Sequence, residues 1–272
     1  MMRLTPLPTL LVEPIVRQAL IEDLGRAGDI TTDAITPPDC TAKTVMAARQ
    51  EGVIAGLDLA AIAFRLIDPA VRFKPVLADG AHVAPGAIVA IVEGPARGIL
   101  SAERVALNFV SRLSGIASAT ARLAAAVAQT KARIVCTRKT TPLMRSIEKY
   151  AVRAGGGANH RFGLDDAALI KDNHIAIAGG VAEAIRRVRT HVGHLIKIEV
   201  EVDTLAQLEE ALGGRRRRRG AARQHVAQRF TARRDHDWWP RSQRGFWSGD
   251  VGDCAGDRGD GSRPHLCRLA HP

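Results

Sequence analysis

The sequence has no long hydrophobic run. None of its 272 residues falls in a stretch approaching the roughly 20 consecutive apolar residues that a membrane-spanning helix requires. The start, MMRLTPLPTLLVEPIVRQAL, lacks the basic segment and following apolar stretch of a secretory signal. The hydrophobic content of 46% still suffices for one large domain or two smaller ones. We therefore expect a cytoplasmic globular protein with no membrane partner.

Cysteine is scarce, and its positions carry no pattern. The four cysteines, Cys40, Cys136, Cys254 and Cys267, lie far apart and show no spacing typical of metal ligands. The sequence therefore implies neither a disulfide framework nor a zinc site with cysteine ligands. We expect each to be a small buried hydrophobic residue.

Lysine is absent from the last 59 residues, which differ from the rest of the chain. Residues 214–272 hold 14 Arg and 6 Asp, a balance of 14 − 6 = +8 out of the total of +11. The remaining +3 makes residues 1–213 only mildly basic. The same segment has no Ile and no Met, so it lacks the apolar residues from which a core is built.

The first hundred residues or so alternate short apolar runs with turn signals. Asp79-Gly80 and Pro85-Gly86 are typical turn dipeptides, and the pattern favours an α+β domain with hairpins.

A long helix is predicted next, from Ser101 as N-cap to about residue 128, and it could join two domains. Arg104 would lie in its first turn, where a cation opposes the helix dipole, which hints at a ligand or partner role. One face carries the apolar residues Val105, Phe109, Leu113 and Ile116.

The next part of the chain alternates strands and helices. Apolar segments at 133–136, 167–170 and 195–202 alternate with helical stretches at 142–154 and 181–192, which predicts a parallel sheet. Thr141 and Pro142 are placed as N-cap and first residue of the first helix, and three glycines at 155–157 follow its end.

Each of these apolar segments ends in ionisable residues. Thr137-Arg138-Lys139-Thr140 follows the first segment, Lys171-Asp172-Asn173-His174 the second, and Glu199 and Glu201 lie near the end of the third. In a parallel α/β barrel the C-terminal strand ends converge, so these side chains are expected to meet. Lys197, Glu199 and Glu201 would share one face of the strand.

The cations are expected to form a positive pocket. It would be lined by Arg138, Lys139, His160, Arg161 and Lys171, with the glycine loop at 155–157 letting backbone approach an anion. Such a pocket facing carboxylates suits a phosphorylated, carboxylated ligand with magnesium. The alternatives are that each Lys or Arg is a solvated loop residue, and that Glu199 forms a salt bridge with Lys197.

Four motifs make the pattern specific. TRKTTP at 137–142, EKYAVRAGGGANHRFGL at 148–164, LIKDNH at 169–174 and EVEVD at 199–203 resemble the quinolinate phosphoribosyltransferase family. EDLGRAGDITTDAI and SAERVALNFVSRLSGIAS, nearer the start, agree in order and spacing. The resemblance spans nearly all of residues 10–213.

The resemblance implies an activity and a fold. The activity is phosphoribosyl transfer from phosphoribosyl pyrophosphate to quinolinate with magnesium, giving nicotinate mononucleotide, pyrophosphate and carbon dioxide. The fold is an N-terminal α/β sandwich domain, residues 1–112, followed by an α/β barrel that is incomplete after about residue 213 because only residues 113–213 match it.

The resemblance also implies roles for single residues. Arg138, His160, Arg161 and Lys171 resemble the cradle for the quinolinate carboxylates, and Thr137 also binds substrate. Lys139 and Glu201 are the implied catalytic residues. Lys139 lies between the substrate and the phosphates, and Glu201 lies near the ribose and the magnesium ion.

Two further positions follow from the resemblance. Arg104 matches the arginine that the family inserts into the neighbouring subunit's site, so a homodimer is expected. Leu143 departs from the family, which usually has Gly after TRKTTP, and we expect little consequence at a helix start.

The tail is interpreted as an out-of-frame reading. Read from the second base of each codon, with permitted codon choices, residues 222–225 give Leu-Asp-Asn-Met and residues 265–271 give Ile-Ser-Val-Gly-Trp-Leu-Thr. Both strings resemble family segments in their proper places. Our hypothesis is a single frameshift near Gly213, after which a chain translated as written has little or no activity.

Three alternatives stay open. The tail could be a basic extension that binds nucleic acid, although this is not the partner that we expect. In that case the residues that stack on the bases would be Trp238, Trp239, Phe246 and Trp247. The chain could be an inactive homologue, or a related pyrophosphorylase with another base.

Overall fold

A computed structural model describes residues 4–212 and, as backbone strands, residues 227–230 and 266–268. The helices are α1 Thr9–Leu24, α2 Ile30–Ile35, α3 Leu57–Ile67, α4 Ala96–Ala126, α5 Arg145–Ala154, α6 Asp172–Ala178, α7 Val181–His191 and α8 Leu205–Leu212. The strands are β1 Thr41–Ala47, β2 Gly52–Val53, β3 Arg72–Pro75, β4 His82–Val83, β5 Ile88–Pro95, β6 Arg133–Val135, β7 Ala167–Ile170, β8 Lys197–Val202, β9 Ala227–Phe230 and β10 Leu266–Arg268.

The described chain divides into two compact units after His160. The first comprises α1 to α5, β1 to β6 and β10, and the second comprises β7 to β9 with α6 to α8. The mixed α/β fold expected from the sequence is confirmed. The division at 112/113 stays a prediction; that position lies inside α4.

The first unit contains antiparallel sheets that flank a helical core. β5 lies between β1 and β3, while β2 pairs with β4. The hairpins expected in this part of the chain are wrong, because no two consecutive strands among β1 to β5 pair with each other. The predicted turns do form, with φ near +89° at Gly80 and +84° at Gly86. In the first of these turns, Asp79 accepts hydrogen bonds from the Gly56 and Leu57 amides, so this turn caps α3.

Helix α4 begins five residues before the predicted N-cap. β5 runs directly into α4 at Pro95, and Ser101 lies inside the helix with its hydroxyl donating to Asp29. Gly98 also lies inside the helix, at a place where a Cβ would come 2.7 Å from the Asp68 Cβ. Arg104 is therefore not in the first turn, and the helix-dipole argument for it is wrong.

The predicted apolar face of α4 packs into the core. Val105, Phe109 and Leu113 are buried against α3 and β5, whereas Ile116 is only partly buried. Burial of each such side chain contributes on the order of 1.5–3 kcal/mol, so this face holds the helix on the sheet.

Parallel strands joined by helices form the second unit. β7 and β8 pair in parallel and are connected by α6 and α7, while β9 pairs in parallel with the other edge of β8. The alternation predicted from the apolar segments is confirmed here. β6, the first of the three segments, lies in the first unit and pairs in parallel with β10.

Helix α5 begins at Arg145, three residues later than predicted. Thr141 and Pro142 form a turn in which the Met144 amide donates to the Thr141 carbonyl. The cause is Leu143, whose φ of +65° lies in the left-handed region that non-glycine residues avoid. Leu143 therefore precedes the helix instead of starting it, and the family's usual glycine suits the conformation found there.

Replacing Leu143 by Gly is expected to stabilise the protein by roughly 0.5–1 kcal/mol. A left-handed residue with a Cβ costs roughly 1–2 kcal/mol, part of which the greater unfolded-state entropy of glycine offsets. The Leu143 side chain is 92% exposed, so its loss removes little packing. The matched control is Leu143→Ala, which keeps the Cβ. A thermal midpoint that rises equally in both variants would contradict the backbone explanation.

The predictions for the cysteines are confirmed at Cys136 and wrong at Cys40. Cys136 is buried as expected, but Cys40 is partly exposed, so its assignment as a buried residue is wrong. No helix in the described ranges has the length and apolarity needed to cross a membrane. The tail's five arginines, its aromatic residues at 238, 239, 246 and 247, and the side chains of Cys254 and Cys267 lie outside the described residues.

Candidate functional site

The segment after β6 is a short, internally hydrogen-bonded turn. The Lys139 amide donates to the Thr137 hydroxyl at 3.0 Å, and the Thr140 amide donates to the Arg138 carbonyl at 3.0 Å. The Thr140 hydroxyl in turn accepts from the Arg145 guanidinium at 3.2 Å. These hydrogen bonds fix the backbone of the turn, and they therefore fix the Cα positions from which the Arg138 and Lys139 side chains extend.

Arg138 carries an unpartnered donor. Its Nε is buried, and it has no hydrogen-bond partner within the described residues. A buried donor without a partner is costly unless something else accepts its proton. Lys139, by contrast, is exposed. An anionic acceptor would satisfy the Arg138 Nε and be attracted by both cations.

The loop that carries His160 runs beside β6. The Ala158 amide donates to the Ile134 carbonyl at 2.8 Å, and the Cys136 amide donates back to the Ala158 carbonyl at 3.1 Å. His160 follows two residues after Ala158, and Arg138 two residues after Cys136. The structure therefore brings the His160 loop and the Arg138 segment side by side.

Two glycines of this loop are required by its packing against α4. A Cβ at Gly155 would overlap the Ala117 carbonyl oxygen of α4, and one at Gly157 would come 2.8 Å from the Thr120 methyl. The glycines therefore let the loop pack against α4. Only Gly156 is exposed, with φ near +85°.

Three consecutive polar residues of α5 were missed by the sequence analysis. Glu148 and Lys149 are each 2% exposed and Tyr150 is 5% exposed. The Tyr150 hydroxyl donates to Asp79 at 2.7 Å, and burial, together with that carboxylate, raises the pKa of Tyr150 above its ordinary value. The signal in the sequence was Glu-Lys-Tyr between the apolar Ile147 and Ala151 of a short helix.

In the second unit, a cation and a carboxylate from neighbouring strands meet. The Lys171 ammonium, directly after β7, lies 3.8 Å from a Glu201 carboxylate oxygen on β8. Glu199 and Glu201 are partly exposed, whereas Val200 and Val202 between and beyond them are buried. The predicted division of β8 into a charged and an apolar face is confirmed.

Arg161 is anchored at the beginning of β7. Its Nη1 donates to the Ala167 carbonyl at 2.9 Å, across a loop closed by Asp166. Asp166 accepts from the Phe162 amide at 2.6 Å and from the Gly163 amide at 3.0 Å.

Arg104 lies on the exposed side of α4 in the first unit. It forms no ion pair within the described residues. Its neighbours in the helix, Ala102, Val105 and Ala106, are buried, so the exposed guanidinium marks the outer face of α4.

The described residues contain no group of three or more His, Cys, Asp or Glu side chains placed to hold a metal ion. Magnesium does not require such a cage, because it is usually bound through one or two carboxylates together with substrate phosphates. Glu201, partly exposed and beside Lys171, is a carboxylate of the kind that fits this mode.

Comparison with known proteins decides the family. A family model described as quinolinate phosphoribosyl transferase, N-terminal domain, matches residues 29–114. The model of the C-terminal domain of the same family matches residues 116–216. The chain belongs to the quinolinate phosphoribosyl transferase family. The resemblance inferred from the motifs is therefore confirmed.

Individual members of the family are similar over most of the chain. A nicotinate-nucleotide pyrophosphorylase (carboxylating) of Mycobacterium leprae is 46% identical over 199 residues, which are 72% of this chain and 70% of the relative. A probable enzyme of the same name from Synechocystis sp. is 42% identical over 205 residues, 75% of this chain and 69% of the relative.

Solved structures of the family agree with the fold. NadC from Streptococcus pyogenes superposes with a TM-score of 0.74 at 42% identity, over 77% of this chain and 74% of that chain. A nicotinate-nucleotide pyrophosphorylase from Francisella tularensis gives a TM-score of 0.73 at 37% identity, over 78% and 75%.

Proposed function

We propose that this protein transfers the phosphoribosyl group of phosphoribosyl pyrophosphate to quinolinate and releases pyrophosphate and carbon dioxide, giving nicotinate mononucleotide for NAD synthesis. The observation that carries the proposal is the buried, unpartnered Nε of Arg138 in the TRKTTP segment. A substrate carboxylate supplies the missing acceptor. Family membership supports the same reaction.

The first step is capture of a dicarboxylate. In this proposal Arg138, His160, Arg161 and Lys171 bind the two quinolinate carboxylates, with Thr137 as a further polar contact. Arginine suits this role because its planar fork binds a carboxylate through two parallel hydrogen bonds. Fixing both carboxylates also fixes the direction in which the pyridine nitrogen points.

The second step joins the pyridine nitrogen to the ribose. The nitrogen lone pair forms the bond to C1 of the ribose while the bond from C1 to the pyrophosphate oxygen breaks. Lys139 stabilises the charge that gathers on the leaving pyrophosphate, and Glu201 stabilises the positive charge that develops on the ribose. Glu201 would also hold magnesium, which would supply positive charge against the pyrophosphate.

The third step releases carbon dioxide. Once the ring nitrogen is bonded to ribose it carries a positive charge, and the pyridinium accepts the electron pair of the breaking carbon–carboxylate bond. A proton then replaces the carboxylate on the ring. Only the carboxylate next to the nitrogen is lost, so the product keeps the other one.

Replacing Arg138 by Met is expected to weaken quinolinate binding by about 10- to 100-fold, since a charge-assisted hydrogen bond contributes roughly 1.5–3 kcal/mol. Nicotinate, which has one carboxylate fewer, is expected to bind the unchanged protein more weakly than quinolinate. Titration calorimetry with both ligands measures the two effects. Equal affinity for the two ligands would contradict the dicarboxylate assignment, and Lys74→Met, at an exposed site in β3, serves as the control.

We further propose a cytoplasmic homodimer in which Arg104 reaches the neighbouring subunit's substrate. The exposure of Arg104 on α4, without an ion pair inside the described chain, supports this role. Light scattering on the purified protein tests the dimer, and a monomer at assay concentration rules it out. Cell fractionation tests the location.

The frameshift near Gly213 is also part of the proposal. It is supported by the end of the family match at residue 216, close to the point where the composition changes. The second shifted string, read from codons 265–271, resembles a family segment. The same codons encode β10, whose backbone pairs in parallel with β6. Sequencing the DNA across codons 208–218 tests this, and an intact frame there would refute it.

A further inference from the structure

Two adjacent residues in α5 are charged and almost fully buried. Glu148 and Lys149 are each only 2% exposed, although a charged side chain taken out of water loses much of its hydration free energy. Lysine and glutamate are rarely buried in this way without partners. Their partners therefore reveal what the burial achieves.

Lys149 binds the beginning of the Arg138 segment. Its ammonium donates to the Cys136 sulfur at 2.8 Å and to the His160 carbonyl at 3.0 Å. Cys136 directly precedes Thr137, and His160 belongs to the loop that pairs with β6. One buried cation thus links the two segments that carry Arg138 and His160.

Glu148 binds the end of the same segment. One carboxylate oxygen accepts from the Thr141 amide at 3.2 Å, and the other accepts from the Arg112 guanidinium at 2.6 Å and 3.2 Å. Arg112 also donates to the Thr141 hydroxyl, so the end of the segment is tied to α4 as well. Successive residues of a helix point about 100° apart, which lets neighbouring side chains reach the two ends.

We propose that Glu148 and Lys149 are positioning residues that clamp residues 136–141 at both ends and thereby set Arg138 and Lys139 relative to His160. This inference rests on the proposed function, because the dicarboxylate is the ligand that the clamped side chains serve. Three contacts of the clamp are to a main-chain amide, a main-chain carbonyl and a thiol. Apolar side chains of similar size would fill the same space without fixing the path of the segment.

The clamp makes a specific prediction about local motion. In the described structure the amides of Cys136, Lys139, Thr140 and Thr141 are all hydrogen-bonded, so they have protection from hydrogen exchange to lose. Release of either end should increase their exchange before the rest of the first unit loosens.

The experiment compares Lys149→Met and Glu148→Gln with a matched control. Tyr150→Phe is the control, because it removes a buried hydrogen bond of the same helix that contacts Asp79 and not the clamped segment. Each purified full-length variant is measured by hydrogen-exchange mass spectrometry and by calorimetric titration with quinolinate. Thermal midpoints are recorded to compare overall stability.

The two clamp variants are expected to raise exchange in residues 136–141 and to weaken quinolinate binding at least about tenfold, because misplacement of binding groups by about 1 Å has effects of this size or larger. Tyr150→Phe is expected to lower the thermal midpoint while leaving both quantities near those of the unchanged protein. Unchanged exchange in 136–141 in both clamp variants would overturn the proposal. So would an equal loss of affinity in Tyr150→Phe.

Two additions keep the test decisive. If Lys149→Met does not fold, Thr141→Val releases the Arg112 contact from the exposed side, and faster exchange at 139–141 is expected. If the unchanged protein binds no quinolinate, the proposed dicarboxylate function is wrong, while the exchange measurement by itself still decides whether the clamp exists.

Discussion

Removing one nucleotide near codon 213, so that later codons are read from their second base to the next stop codon, is expected to raise nicotinate mononucleotide formation at least about 10³-fold. The chain as written ends its family match at residue 216. About 30% of the Mycobacterium leprae relative, which is matched over 70% of its length, has no counterpart in it. The proposed frameshift would remove the later barrel strands, and with them the phosphate-binding groups and the second acidic residue that the family resemblance implies.

The chain as written and the frame-restored chain are compared by a chromatographic assay. The assay measures nicotinate mononucleotide formed from quinolinate and phosphoribosyl pyrophosphate with magnesium. A restored frame carrying Lys139→Met provides a background value. Easily detected turnover by the chain as written, equal to that of the restored chain, would show that residues 214–272 do not limit activity.

Replacing Lys139 by Met in the restored enzyme is expected to lower kcat/KM by about 10²–10³-fold. Removing one preorganised group that stabilises transition-state charge typically has this effect. The loss should appear mainly in kcat, because the pyrophosphate charge that Lys139 stabilises increases as the bond to ribose breaks. Lys139 is exposed, so its replacement leaves no buried unpaired group.

Steady-state kinetics over both substrates measures the effect, and Lys74→Met in β3 is the matched control for loss of an exposed positive charge. A Lys139→Met enzyme with an unchanged kcat and a raised KM for quinolinate would contradict the role assigned to Lys139. It would instead make Lys139 part of the carboxylate cradle.

Periodicity and strand-end chemistry predicted the second unit well. The apolar segment 167–170 is β7, and the alternation in β8 places Glu199 and Glu201 opposite the buried Val200 and Val202. Lys171 and Glu201 meet because parallel strands bring their C-terminal ends to one edge. In these places local pattern and tertiary structure impose the same requirement.

The sequence failed where a tertiary contact overrides a local signal. Ser101 is a plausible N-cap by residue type, yet it lies inside α4, where its hydroxyl donates to Asp29, the N-cap of another helix. The approach of an anion to the glycines at 155–157 stays a prediction, and the structure adds that Gly155 and Gly157 are required by the close approach of α4. Such tertiary contacts are not contained in the local sequence.

The burial of Glu148 and Lys149 could not be predicted from the sequence pattern. Glu148 and Lys149 are hydrophilic by composition, and only their partners Cys136, His160, Thr141 and Arg112 explain why they lie inside the protein. These partners are 7 to 36 residues away in the sequence, so no local window contains the set. The left-handed φ of Leu143 could not be predicted either, because residue type alone does not give φ.

The central claim is that the TRKTTP, His160 and Lys171-Glu201 elements carry out decarboxylating phosphoribosyl transfer to quinolinate. Product analysis of the frame-restored enzyme with phosphoribosyl pyrophosphate, magnesium and either quinolinate or nicotinate tests it most directly. We expect nicotinate mononucleotide, pyrophosphate and carbon dioxide in equal amounts from quinolinate, and negligible turnover of nicotinate. A nucleotide formed from nicotinate without release of carbon dioxide, or no product from quinolinate, would contradict the claim.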